Sequence, residues 1–365
     1  MNYQGRQEKL QTLLAPNRLD ALLVSHLPNV RYLCGFTGSA GALLITEKHS
    51  LFFTDGRYTT QASDEVQGAK LIIVSQPPLL AAAKWIDANR KSLGRKTVWK
   101  LGIESEHLSV SGRDRLAAEL PSFCRLSKSP ALVEQLRMIK DAQEVECIRA
   151  AVQLGAGLFD AALKAIRPGV KETDVAAEME YAAHKAGAQE MSFSTIIAAG
   201  KRSALPHGRA SAARIPARGF VVCDFGVILT GYCSDMTRTV HVGRPSAEER
   251  RGYEAVRSAQ LASSDAVRSG VSVGDVDRVG RKLLKKEGLA RYFTHSTGHG
   301  VGLEIHEAPR IAAGQTEILH PGMVITIEPG IYLPGKWGVR IEDMVLVTER
   351  GCEVLASTSK DLITL

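Results

Sequence analysis

The sequence predicts an α/β protein built from two domains. In the first third, short apolar runs alternate with amphipathic stretches. Beyond it, one segment repeats within the chain. The length, 365 residues, also suggests about two domains as a soft expectation.

The strand-length runs are Ala21–Ser25, Gly41–Thr46, Leu51–Thr54, Lys70–Ser75 and Thr97–Glu104, each rich in Val, Ile, Leu or Phe. Between them, Tyr58–Val66, Leu79–Lys91 and Arg113–Leu120 read as helices. That alternation predicts a mixed sheet flanked by helices. A boundary is expected near Ser127–Leu136, around Pro130, dividing residues 1–130 from residues 131–365. The second part opens on Asp141 followed by Glu144, a variant of the capping box that satisfies free helix-start N–H groups. Val145, Ile148, Val152 and Leu158 then recur at helical spacing.

Ile166–Gly187 aligns without a gap on Val267–Gly288. The pairs Arg167/Arg268, Gly169/Gly270, Val170/Val271, Asp174/Asp275, Val175/Val276, Lys185/Lys286 and Gly187/Gly288 are identical. Each copy reads as a turn, a helix and a C-terminal glycine. Each is followed by a His-Gly pair, His207-Gly208 and His299-Gly300. Chance similarity between two amphipathic helices is one reading of the repeat; the matched His-Gly pairs favour the other, two related halves with a site between them.

Composition excludes several classes. Lys+Arg 46 against Asp+Glu 39 leaves a net charge of +7, and 44% of residues are hydrophobic. That composition is ordinary for a globular protein and argues against disorder. One denser basic stretch, Lys91, Arg95, Lys96 and Lys100, reads as a solvated surface, and no nucleic-acid motif accompanies it. No apolar run approaches the ~20 residues of a membrane helix. Met1–Leu14 is polar and lacks the apolar core of a signal peptide. The six cysteines form no CxxC pair, so reduced thiols and a cytoplasmic location are expected.

Four carboxylates stand out because they sit in apolar, strand-like runs. Phe220–Val242 reads as a hairpin containing Asp224 and Asp235. A loop centred on Leu229 and Thr230 places the two aspartates opposite each other, with Cβ atoms roughly 4.5–5.5 Å apart. Like charges that close require a retained proton or neutralising cations. Glu328 ends the run Met323–Ile327, and Glu342 lies in Val339–Val347. Arg340, two residues before Glu342, is expected on the same strand face, where a simple Arg–Glu ion pair is the alternative use. The segment THSTGHGVGLEIHE holds His295, His299 and His306 among glycines, which permit close backbone approach. Neither H-E-x-x-H nor G-x-S-x-G occurs. Asp224, Asp235, His299, Glu328 and Glu342 together can hold two divalent ions. This oxygen-rich set suits Mn²⁺, Co²⁺ or Fe²⁺, with Zn²⁺ as an alternative. Two such ions ~3.5–4 Å apart generate a nucleophile at neutral pH.

The runs CDFG, SDMTRT, THSTGHGVGLEIHE, TIEPGIY and VRIEDMVLV resemble the metal motifs of the M24 metallopeptidases, and all five ligand positions match in type and order. LPNVRYLCGFTGSAGALLIT and FFTDGRYTTQA resemble the creatinase-like N-terminal domain of the proline-specific branch, which methionine aminopeptidases generally lack. Creatinases share the fold without the metal ligands. The resemblance implies a creatinase-like N-terminal α/β domain followed by a C-terminal pita-bread catalytic domain, whose pseudo-symmetry the repeat reflects. It implies that Asp224, Asp235, His299, Glu328 and Glu342 bind two metal ions, with Mn²⁺ foremost. It places His207, in SALPHG, and His306 beside the scissile bond, His295 in the substrate pocket, and Arg340 in support of the ligands. Glu328 is the expected proton carrier. The expected activity is removal of an N-terminal residue from peptides with Pro in second position. Xaa-Pro dipeptidase (prolidase) activity is the alternative, and a non-catalytic peptide- or partner-binding module is a second. A homodimer is implied, with the N-terminal domain limiting substrate length, and neither nucleic acid nor membrane as partner.

Overall fold

The computed structural model describes residues 1–93 and 98–365. Arg95, Lys96 and Thr97, which carry part of the expected basic stretch and the expected start of a strand, lie outside the described residues. The chain divides into Met1–Arg137 and Met138–Leu365. Among the described residues, no helix is long and apolar enough to cross a membrane.

The first unit is a six-stranded mixed sheet. Its strands are β1 (Ala21–Val24), β2 (Ala42–Thr46), β3 (Ser50–Asp55), β4 (Lys70–Val74), β5 (Trp99–Glu104) and β6 (Cys124–Ser129), in the order β4-β3-β2-β1-β5-β6. Helices α1 (Tyr3–Leu14), α2 (Leu27–Cys34), α3 (Thr59–Glu65), α4 (Pro78–Ala88), α5 (Val110–Glu119) and α6 (Leu132–Met138) accompany them. The expected strands and helices appear within a few residues of their predicted ends. Three elements do not follow from the sequence pattern. Helix α1 lacks a clean apolar stripe because two polar side chains face inward, where Arg6 Nη1 donates to Tyr32 O and Gln7 Nε2 to Leu33 O. Helix α2 is short and begins at Leu27-Pro28, proline being suited to a helix start. Strand β6 runs into the start of the expected boundary region, its polar sequence held by parallel pairing with β5.

The second unit carries the site. Its helices are α7 (Ala142–Ala165), α8 (Glu172–Lys185), α9 (Ala247–Asp265) and α10 (Val273–Lys286). Asp141 and Glu144 form a full capping box on α7, and Ser246 and Glu249 form another on α9. Helices α8 and α10 occupy the two copies of the repeat. The turns ahead of them use Gly169 and Gly270 at φ 86° and 82°, and Gly187 and Gly288 follow them at φ 96° and 72°. Those left-handed conformations explain why glycine is common to both copies.

Strands β7 (Glu190–Met191), β8 (Ile196–Ala199), β9 (Gly219–Phe225), β10 (Val227–Leu229), β11 (Tyr232–Cys233) and β12 (Met236–Val242) form two small sheets, β11-β10-β7 and β12-β9-β8. Strands β13 (Gly298–Gly300), β14 (Glu307–Ile311), β15 (Val324–Ile327), β16 (Gly330–Leu333), β17 (Trp337–Arg340), β18 (Asp343–Val347) and β19 (Cys352–Val354) form a five-stranded sheet, β14-β13-β15-β18-β19, and the pair β16-β17.

The hairpin register differs from the expected one. Asp224 pairs with Thr237, not with Asp235. The loop is Thr230-Gly231, with φ of 49° and 83°, as a two-residue type I′ turn requires. The turn therefore centres one residue later than expected, and the register moves by two. A shift of two preserves the strand face, so both aspartates stay on one side, diagonal to each other. The ladder breaks at Gly226, where an added Cβ would lie 1.8 Å from Ser234 O. The break separates β9/β12 from β10/β11. The run Val339–Val347 is likewise two strands, since β17 pairs with β16 and β18 with β15. Glu342 sits at the junction, its N–H donating to Thr237 O.

Candidate functional site

One cavity of about 630 Å³ is lined by all nine residues that the sequence singles out: His207, Asp224, Asp235, His295, His299, His306, Glu328, Arg340 and Glu342. Asp224 is the penultimate residue of the first long hairpin strand, and Asp235 immediately precedes the second. Glu328 follows β15, fixed by its N–H bond of 2.7 Å to Thr297 O. His299 is the middle residue of β13, between two glycines whose Cβ atoms would lie 1.9 Å from Thr326 O and 2.1 Å from Ala308 O. Strands β14 and β15 pack so closely there that side chains at 298 and 300 are excluded.

Asp235, His299 and Glu342 present ligand atoms within 4.8 Å of one another. His299 Nε2 lies 3.7 Å from Asp235 Oδ2 and 3.5 Å from Glu328 Oε1. Its Nδ1 lies 3.0 Å from Gly300 O, an acceptor only, so Nδ1 carries the proton and Nε2 offers a lone pair. Burial pushes the His299 pKa down to about 4, which keeps the ring neutral.

Burial, with repulsion from Glu342, Asp224 and Glu328, raises the Asp235 pKa well above the usual carboxylate range. Burial, with repulsion from Glu328 and Asp224, does the same for Glu342. Glu328 is pushed up to about 7, chiefly by burial. Asp224 Oδ1 and Asp235 Oδ1 are buried without a hydrogen-bond partner. Orphaned carboxylate oxygens beside a neutral imidazole are costly unless a cation meets them. The residues therefore fit divalent metal ions. The spacing from His299 Nε2 to the two carboxylates is too long for a hydrogen bond, and it suits atoms sharing an ion at ~2.1 Å each.

Arg340 does not pair directly with Glu342. Its Nη2 donates to Asp224 Oδ2 at 2.5 Å, and its Nε donates to Thr237 Oγ1 at 3.0 Å. Thr237 in turn donates to Glu342 Oε2 at 2.6 Å. One guanidinium thus orients two carboxylates, one of them through a hydroxyl. Burial works against its charge, but Tyr332, Asp224, Glu328 and Glu342 hold it protonated. Nη1 reaches Tyr332 Oη at 2.6 Å, and that hydroxyl lies 2.9 Å from His295 Nε2. His295 is held to about 4 by burial. His306 packs edge-on against His299 with ring centroids 4.5 Å apart, and burial lowers its pKa as well. His207 is exposed at the cavity wall.

The sequence reading missed Thr237 and Tyr332. Thr237 shares the strand face of Asp235 two residues earlier, a signal available in SDMTRT. Tyr332 lies within TIEPGIY but only folding brings it to Arg340. Phe193, Ile196 and Ile305 add apolar wall, and Arg209 and Arg310 add cations.

Residues 146–349 match the model of metallopeptidase family M24, and residues 6–139 match the creatinase/prolidase N-terminal domain. A Xaa-Pro dipeptidase of Pyrococcus furiosus is 38% identical over 98% of this chain and 99% of that protein. Among solved structures, a Xaa-Pro dipeptidase from Bacillus anthracis is 40% identical, with a TM-score of 0.94 and all of both chains covered. An X-Pro aminopeptidase from Thermotoga maritima is 34% identical, with a TM-score of 0.88 over 98% of this chain and 99% of that one.

Proposed function

The chain belongs to metallopeptidase family M24, and we propose that it hydrolyses the Xaa-Pro bond of dipeptides. The sequence alone favoured longer peptides with proline in second position. The observation that carries the dipeptide reading is end-to-end likeness to the Xaa-Pro dipeptidases of P. furiosus and B. anthracis. Arg209 and Arg310 at the cavity wall support it, because a dipeptide must place its free carboxylate against a cation.

Asp224, Asp235, His299, Glu328 and Glu342 would hold two divalent ions, Mn²⁺ foremost on donor chemistry. When bound, these ions supply Lewis acidity and a nucleophile at neutral pH. His207 and His306 donate hydrogen bonds to charge developing on the carbonyl oxygen before proline. Glu328 takes up on one carboxylate oxygen the proton released by the attacking water and passes it to the departing proline nitrogen as the C–N bond breaks. Arg340 keeps Asp224 directed into the cavity, and Thr237 does the same for Glu342. Proline's nitrogen in the bond has no N–H to recognise, so the apolar surface of Phe193, Ile196 and Ile305 takes the pyrrolidine ring. A homodimer in a reducing compartment is the proposed setting, the latter supported by six unpaired cysteines.

The test compares Gly-Pro with a Xaa-Pro tripeptide on Mn²⁺-loaded enzyme. Gly-Pro should be preferred at least roughly tenfold in kcat/KM. Preference for the tripeptide would transfer the assignment to an X-Pro aminopeptidase, the reading that the T. maritima likeness favours. Cleavage of neither, with both ions bound, would leave a binding module.

A further inference from the structure

We infer that Glu172 is a positioning residue for His207, clamping both ends of the loop that carries it. This rests on the reading of His207 as a group that acts on substrate.

Glu172 is the first residue of α8, and its side chain is fully buried at 0% exposure. Its Oε1 accepts from Ala199 N at 2.9 Å and Arg202 Nε at 3.1 Å. Its Oε2 accepts from Arg202 Nε at 2.9 Å, Ser211 N at 3.1 Å and Ser211 Oγ at 2.7 Å. Ala199 ends β8 ahead of His207, and Ser211 lies beyond it. One carboxylate therefore closes the loop at its base. Arg202 extends the clamp inward, because its Nη2 donates to Arg209 O at 2.8 Å and Arg209 N donates to His207 O at 2.9 Å. From the cavity side, Arg340 Nη1 holds Pro206 O at 3.0 Å.

The internal repeat separates this role from a general need of the fold. Val273 begins α10 where Glu172 begins α8. Both make the same backbone bond, Glu172 N to Ala213 O at 3.0 Å and Val273 N to Glu317 O at 2.9 Å. Val273 lies fully buried in an apolar cluster. The helix start thus forms with an apolar residue at this position. The half that carries the His207 loop instead buries a carboxylate, which is costly unless its bonds are used. All five bonds end on the loop or its flanks, and bonds to a charged acceptor are the stiff ones.

None of the five candidate metal ligands lies on this loop, so loosening it should leave metal binding intact. The experiment measures kcat and KM on Gly-Pro, bound metal and Tm for Mn²⁺-loaded Glu172→Gln and Ser211→Ala, each alone and combined with His207→Ala. Glu172→Gln should lower kcat by roughly 10–100-fold, the scale of an ångström-level misplacement, with metal content unchanged. Ser211→Ala should lower it less. In the His207→Ala background both effects should shrink to under about twofold, because the positioned group is gone. Equal losses in both backgrounds, or metal loss in step with activity, would overturn the inference. If Glu172→Gln does not fold, the Ser211→Ala cycle decides by the same criterion, and an unchanged kcat there also overturns it. His207→Ala with wild-type kcat would instead remove the underlying assignment of His207.

Discussion

Replacing Arg238 by methionine should lower the melting temperature by about 10 °C. Arg238 lies in β12, next to Thr237, and is only 1% exposed. All five of its N–H donors are used. Nε donates to Ser359 O at 3.0 Å, and Nη1 to Thr237 O at 2.9 Å and Glu342 O at 2.5 Å. Nη2 donates to Asp343 Oδ1 at 2.6 Å and Thr358 O at 2.8 Å. The guanidinium thus binds the C-terminal segment to the backbone just behind two site residues. Methionine approximates its length but supplies no donor. Asp343 retains Lys360 and Gln260 on its other oxygen, so its charge is not wholly abandoned. Removing one member of a buried ion pair costs ~3–5 kcal/mol. A unit this large loses ~2–4 °C per kcal/mol, which gives about 10 °C. Calorimetry at one scan rate on metal-loaded protein measures it, with Arg238→Lys expected between the two. A Tm within about 2 °C of wild type for Arg238→Met would refute the reasoning.

Three further outcomes are expected. His207→Ala and His306→Ala should each keep both metal ions and lose ~10²–10³ in kcat, whereas Asp235→Ala should lose metal and nearly all activity; elemental analysis alongside kinetics separates the two classes. In metal-free protein, burial and repulsion raise the proton affinity of Asp235, Glu342 and Glu328. Their folded forms hold protons that the unfolded chain releases above pH ~4, so that stability is present in acid and is lost as pH rises through about 7, the Glu328 value. Chelated protein should therefore lose Tm between pH 5.5 and pH 8 relative to metal-loaded protein, and parallel Tm curves would count against carboxylate crowding. Thr230, β-branched at φ 49°, should gain ~0.5–1 kcal/mol on conversion to Asn, which favours that conformation; a lower urea midpoint would contradict the turn assignment.

The parts of this protein legible in its sequence are those fixed by neighbours along the chain. Strand runs in the first unit, the Asp141/Glu144 cap and the glycine-bounded repeat all depend on interactions within a few residues. Helix α1 was not legible, because Arg6 and Gln7 are buried by bonds to Tyr32 and Leu33 carbonyls, partners that no local pattern reveals. Strand β6 was not legible because pairing with β5, rather than apolar alternation, holds it.

For the site, sequence alone determined which residue types were available. Carboxylates in apolar runs imply cations wherever they meet, since buried like charges must be neutralised. Tertiary structure decided how they meet. The turn at Thr230-Gly231 moved the aspartates from opposite to diagonal, a matter of which backbone torsions the loop adopts. The junction at Ile341-Glu342 turned one apparent strand into two, because each half pairs with a different partner. Arg340 was expected beside Glu342 by strand parity, yet its short contact is with Asp224, and it reaches Glu342 only through Thr237. Strand periodicity specifies a direction for each side chain. Its hydrogen-bond partner depends on packing between segments far apart in the chain, which is why that network could be read only from the folded protein.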